Sequence, residues 1–152
     1  MNSLQLQIEN LKNKFVETWP KIIDVDEGWY QLIVDCDKEL SELDPNYKIY
    51  QIKEKFGKLR YYNQSSKSFN EQTYLKISSV ISKYENLSGC TCEATGKPGV
   101  LMKSLSGWYK TLNPQWTVSS EIYKNYKIVK HDAYTDPNIT PDDTMPWKHS
   151  ED

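Results

Sequence analysis

The stretch YKIYQIKEKFGKLRYYN, residues 47–63, constrains the fold more than any other part of the chain. Ile and Tyr alternate with Lys on either side of Lys55-Phe56-Gly57, the period-two pattern of two strands, roughly 47–54 and 58–63, joined by a tight turn. Such a hairpin has one covered face and one wet face. An isolated hairpin is marginal in water, so other elements must supply the cover.

Helical spacing supplies candidates on both sides. From Ser3 to about Trp19 the apolar set Leu4, Ile8, Leu11, Phe15 and Trp19 predicts one helix, capped by Ser3 and stopped by Pro20. Trp29, Ile33, Cys36, Leu40 and Leu43 predict a second from Glu27 to Leu43, closed by Asp44-Pro45, with Cys36 as a small core residue. A third is expected from Asn70 to Leu87, burying Tyr74, Ile77, Val80 or Ile81, Tyr84 and Leu87, and ending at Ser88-Gly89. Beyond Gly89 the texture is irregular. GCTCEATGKPG turns every few residues, SGWYKTLNPQW is a short aromatic segment ended by Pro114, and TVSSEIYKNYKIV has room for another strand or two. The expected class is α+β: three helices packed on a small antiparallel hairpin or sheet, forming one domain over 1–130. A free tail is the default for residues 131–152. Tyr134, Ile139, Met145 and Trp147 favour instead an extended arm that packs on its own domain or on a neighbouring subunit, in a homo-oligomer.

A length of 152 residues suits one domain and allows a sizeable core without disulfides. Ala occurs only at 94 and 133, so the apolar content lies in Leu, Ile and the aromatics, with 11 Tyr and 5 Trp. That aromatic content excludes wholesale disorder. No run is long and apolar enough to span a membrane, and MNSLQLQIENLKNKF lacks the pattern of a secretory signal. Cys36, Cys90 and Cys92 offer no paired framework, so a cytosolic setting is expected.

The net charge of −2 argues against a domain built to grip bulk duplex DNA, but the charge is unevenly distributed. Residues 47–62 carry Lys48, Lys53, Lys55, Lys58 and Arg60 against Glu54, a balance of +4; residues 131–152 carry six acids against Lys148, a balance of −5. Arg60 is the only Arg, hence the one side chain able to grip a phosphate or carboxylate bidentately. Strand alternation puts Lys53, Lys55, Lys58, Arg60 and Tyr62 on a shared surface suited to a nucleotide, cations on phosphate and an aromatic on the base. The competing reading is a solvated strand whose Lys residues deter edge pairing. Trp108 likewise reads either as core or as a ligand-stacking ring.

The order Gly28-Trp29, Ile52-Lys53-Glu54-Lys55-Phe56-Gly57-Lys58-Leu59-Arg60-Tyr61, Thr91-Cys92-Glu93 and Gly107-Trp108 through Leu112 resembles a group of small bacteriophage and prophage proteins, over roughly Asp26 to Trp116. The hairpin phrase is the most specific part. In that group a Cys-x-x-Cys pair and a later Cys with a nearby Cys or His have the spacing of a zinc knuckle. Here Cys92 stands at the first position, Thr95 at the second, Asn113 at the third, and Trp116 near the fourth. The resemblance therefore implies a degenerate knuckle over 89–116, without metal or other cofactor, held by packing of Trp108, Leu112 and Trp116. Cys90, His131 and His149 are the remaining alternative ligands, although Cys90-Thr91-Cys92 is poorly spaced. The resemblance carries over no activity.

No phosphate loop, nucleophile elbow or metalloprotease motif is present, and both His residues lie near the C-terminal end. The expectation is thus a non-catalytic phage-type accessory protein of the host cytoplasm, countering a host defence by sequestering a phosphorylated nucleotide-type ligand. The ligand residues would be Lys53, Lys55, Lys58, Arg60, Tyr62 and Trp108. The alternative is inhibition of a host protein through an acidic aromatic arm bearing Tyr134, Asp142, Asp143 and Trp147. A metal-dependent hydrolase using Asp142-Asp143 ranks third.

Overall fold

A computed structural model describes residues 2–66 and 70–129. The elements are α1 (Ser3–Leu11), β1 (Ile23–Asp24), α2 (Tyr30–Leu43), β2 (Lys48–Lys55), β3 (Lys58–Gln64), α3 (Glu71–Ser88), β4 (Val100–Lys103), β5 (Tyr109–Leu112), α4 (Pro114–Thr117) and β6 (Lys127–Ile128). The class is α+β. One sheet has the order β1-β2-β3, with β1 parallel and β3 antiparallel to β2; the other, β5-β4-β6, is antiparallel. Among the described residues no helix is long and apolar enough to cross a membrane.

The main core lies between the first sheet and α1, α2 and α3. Ile49, Ile52, Leu59 and Tyr61 face Ile8, Trp29, Ile33, Leu40 and Ile77, all buried. Cys36 is buried among them, and that burial pushes its thiol well above the ordinary range. An aromatic core has polar tips to satisfy. The Tyr47 hydroxyl donates to Asp37 Oδ1 at 2.6 Å and shares a 2.5 Å hydrogen bond with the Tyr61 hydroxyl, while Lys14 Nζ pairs with Asp37 at 2.6 Å. Buried Asp44 accepts from the Ser66 amide and from the Ser65 and Ser66 hydroxyls, tying the end of β3 to the end of α2. Burial alone would raise that carboxyl, but these hydrogen bonds together hold it below the usual carboxylate value.

The structure changes the expected helices. Asn2 rather than Ser3 caps α1, in a reciprocal capping box with Gln5. The α-helix stops at Leu11; a 3-10 turn over Lys12–Lys14 follows, and Phe15 then adopts extended backbone and bridges to Ile49. Phe15 reaches the same core from an extended segment, which is why the four-residue spacing continued past the helix. Trp19 falls outside that stripe, 40% exposed, and Pro20 stops nothing. In α3 Ile77, Tyr84 and Ser88 are buried and Val80 and Ile81 pack partly buried against the core, whereas Tyr74 and Leu87 are exposed. Pro114 does not end a segment but opens α4, behind an Asn113 cap. Of strand, the stretch 117–129 contributes only the two-residue β6.

Two close joints hold the halves together. At the first, a Cβ on Gly28 would overlap the carbonyl oxygens of Cys92 and Glu93, and Trp29 Nε1 donates to the Thr91 carbonyl at 2.8 Å. Glu93, 1% exposed, accepts from the Asp26 amide at 2.9 Å and from Lys110 Nζ at 2.9 Å. Burial pushes the Glu93 carboxyl up and its hydrogen bonds pull it back only in part; Lys110 is held protonated by Glu93 against its own burial. At the second joint, the Thr111 hydroxyl donates to the Gly57 carbonyl at 2.6 Å.

Lys110→Ala leaves a buried carboxylate without its counter-ion and should lower stability by about 3 kcal/mol at neutral pH. Without Lys110 the folded pKa of Glu93 rises further above its unfolded value of about 4.3. The deficit should therefore shrink as pH falls through the folded value, and Glu93→Gln in the Lys110→Ala background should recover part of it. Denaturant titrations across that range check both; a pH-independent deficit would mean that Lys110 acts by packing alone.

Candidate functional site

The outer face of the hairpin brings together five of the six ligand residues expected from the sequence. In the β2–β3 register Lys53 lies opposite Arg60, Lys55 opposite Lys58, and Gln51 opposite Tyr62, whereas Ile52 and Tyr61 form the alternate, inward pair. Paired side chains share a face, so four cations form a two-by-two array with Tyr62 at one end. Lys53 Nζ stands 5.9 Å from the centre of the Tyr62 ring.

Two features of this face were not legible in the sequence. The register slips between Ile49 and Gln51, leaving Tyr50 as an extra residue that lies outside the core cluster. Its ring takes Trp19 edge-on at 5.1 Å, and Tyr50 is next in sequence to Gln51, which pairs with Tyr62. At the other end, Phe56 and Gly57 form a two-residue turn with φ of 52° and 79°. Such turns favour Asn or Asp ahead of Gly, and a bulky aromatic in the left-handed region is strained. Phe56 is nonetheless 65% exposed, with its ring 6.0 Å from that of Tyr109. A Phe directly before a turn Gly is the sequence signal that could have marked it.

Among the described residues none of Lys53, Lys55, Lys58 and Arg60 has a carboxylate oxygen within 4.0 Å, although Lys14, Lys83 and Lys110 do find such partners. The nearby acids are engaged or set apart. Glu54 accepts from the Gly57 amide at 2.7 Å, and Glu85 accepts from the Tyr61 amide at 3.2 Å. Burial pushes the Glu85 carboxyl up, while that amide, Arg60 and Lys58 pull it back. Asp24, opposite Lys53 in the parallel pairing, moderates the charge at one edge.

The remaining expectations fare differently. Trp108 is 72% exposed in the β4–β5 connection, so it is neither core nor a prop of the knuckle; it adjoins Tyr109, which meets Phe56, but is not part of the cation array. Tyr134, Asp142, Asp143, Trp147, His131 and His149 lie outside the described residues. In the segment 89–116 Cys92 is buried and Cys90 exposed. Leu112 and Trp116 do pack with Cys92. Backbone bonds close the turn: the Cys92 amide to the Lys97 carbonyl at 2.7 Å, and the Gly96 amide to the Cys92 carbonyl at 2.8 Å. Asn113 takes the third-ligand position with its amide, donating to the Pro98 carbonyl and accepting from the Trp116 amide, each at 2.9 Å. Among the described residues no three His, Cys, Asp or Glu side chains are grouped to hold a metal ion. A separate concavity of about 310 Å³ between the start of α1 and the Gly28 turn presents Glu27 and Tyr30, with no cation of the array in its lining. Comparison of the chain with family models, curated proteins and solved structures found no match.

Phe56→Asn should leave stability equal or raise it by up to about 1 kcal/mol, since relief of left-handed strain outweighs one edge-on ring contact. Thermal melts of the two proteins check this. A loss above about 1 kcal/mol would identify Phe56 as a packing residue.

Proposed function

We propose that this chain acts by binding, taking a phosphorylated nucleotide-type ligand on the outer face of the β2–β3 hairpin. The observation that carries the reading is the array of Lys53–Arg60 and Lys55–Lys58, four cations on one face without ion-pair partners among the described residues. Arg60 supplies a planar fork for a phosphate, the Lys residues supply point charges, and Tyr62 supplies a ring for a base.

The competing reading, Lys as protection against edge pairing, is weakened by the topology. β2 is the middle strand of its sheet, and the free edge of β3 is already closed by α3. The Leu59 amide donates to Ser88 Oγ at 2.8 Å and the Tyr61 amide to Glu85. In the setting that the sequence resemblance implies, such a protein would withdraw a signalling nucleotide from a host defence.

A thermal-shift panel running from mononucleotides and cyclic nucleotides to short oligonucleotides tests the reading. A ligand at ten times its Kd adds about 1.4 kcal/mol, which for a domain of this size raises Tm by about 3–5 °C. That shift should vanish in Arg60→Ala and shrink in Lys53→Ala. Absence of a shift with every member of the panel in the unmutated protein would overturn the proposal.

A further inference from the structure

We infer that the ligand of this face is a single-stranded nucleic acid laid along the hairpin, rather than a free mononucleotide; this rests on the nucleotide-binding reading above. The argument starts from the layout. Aromatic rings stand at both ends of the cation array: Tyr62 at the open end of the sheet, and Phe56 at the turn. From Gln51, opposite Tyr62, to Lys55, beside Phe56, there are four strand rises, about 13 Å. A mononucleotide that stacks on one end leaves the other end and half of the cations unused. A strand of several nucleotides uses both ends and all four charges.

Shape points the same way. Small ligands are held in clefts that bury most of their surface. Here the terminal groups of the array stand in solvent, with Phe56 65% exposed and Tyr62 43% exposed, on a sheet face rather than in a cleft. A flat face with spaced charges and open rings is the arrangement by which a strand is held through its backbone and the faces of its bases. Base faces are free in a single strand but stacked inside a duplex, so the aromatic ends select the single strand.

The strain at Phe56 supports the assignment. An exposed aromatic is retained against local conformational preference in the turn that follows the last cation pair, Lys55–Lys58, with one ring contact, edge-on to Tyr109.

Fluorescence anisotropy of end-labelled oligo-dT and oligo-U decamers with the full chain tests the inference. Saturable binding is expected, with log K falling against log salt at a slope of about −3, as four contacts on a single strand require. Phe56→Ala and Tyr62→Ala should each weaken binding by about tenfold or more with folding intact by thermal melt. An abasic decamer should lose a comparable factor. A mononucleotide or cyclic dinucleotide binding as tightly as the decamers would overturn the single-strand assignment while leaving the nucleotide reading standing. Equal or tighter binding of the corresponding duplex, or of the abasic strand, would also overturn it. No binding by any nucleotide or oligonucleotide would remove both.

Discussion

The buried carboxylate of Glu93 holds together parts of the chain that are far apart in sequence. Its two oxygens accept from the Asp26 amide, ahead of α2, and from Lys110 on β5. A charge at 1% exposure is tolerable only when its hydrogen-bonding capacity is met, so these bonds fix where the second sheet sits against the helical layer. Tyr123 closes the arrangement from the C-terminal side, donating to Asp26 at 3.2 Å. Gly28 allows the approach, because any side chain there would meet the backbone of Cys92 and Glu93. The order of dependence is therefore polar first: the ion pair and the glycine set the joint, and the small apolar cluster of Cys92, Met102 and Leu112 fills the space behind it.

The consequence for the first sheet is asymmetry. The main core places α1, α2 and α3 against the inward residues Ile52, Leu59 and Tyr61, and α3 in addition closes the β3 edge with Ser88 and Glu85. The opposite face is left to Lys53, Arg60, Lys55 and Lys58. Period-two alternation makes this division unavoidable once the inner face is fixed, since each inward residue is flanked by outward ones. The basic face is thus not an independent feature of the surface but the reverse side of the core.

What the sequence revealed and what it hid follow from the range of the interactions involved. The hairpin, α2 and α3 are written in local periodicity, and the outward grouping of Lys53, Lys55, Lys58, Arg60 and Tyr62 follows from alternation alone. α1 was overextended because Phe15 enters the core from extended backbone at a spacing that mimics a fourth helical turn. The bulge at Tyr50, whose ring meets Trp19, depends on pairing between strands and has no local signature. Glu93 was also unreadable: its partners are 67 and 17 residues away, and a lone Glu in a turn-rich segment normally belongs in solvent. A Trp beside Gly reads either as core or as an exposed stacking ring, and local sequence does not decide between them; at 72% exposure Trp108 is not core.

The segment from Cys90 to Trp116 has a mechanical part at the tip of the hairpin. The Asn113 amide bridges Pro98 to the start of α4, and backbone bonds close the Cys92 turn. What this firm segment presents to the hairpin is Thr111, whose hydroxyl takes the Gly57 carbonyl, while Glu54 takes the Gly57 amide from within the hairpin. Gly57 is pinned at both its polar groups, and Leu101 packs where its side chain would be. With Gly57 held in the left-handed region, the turn that matches the twist of the flanking strands places Phe56 there as well, against its own conformational preference. The strain of one exposed aromatic is thereby transferred to a joint able to bear it. The ring at the tip of the basic face is held in place by the ion pair and hydrogen bonds of the other half of the protein.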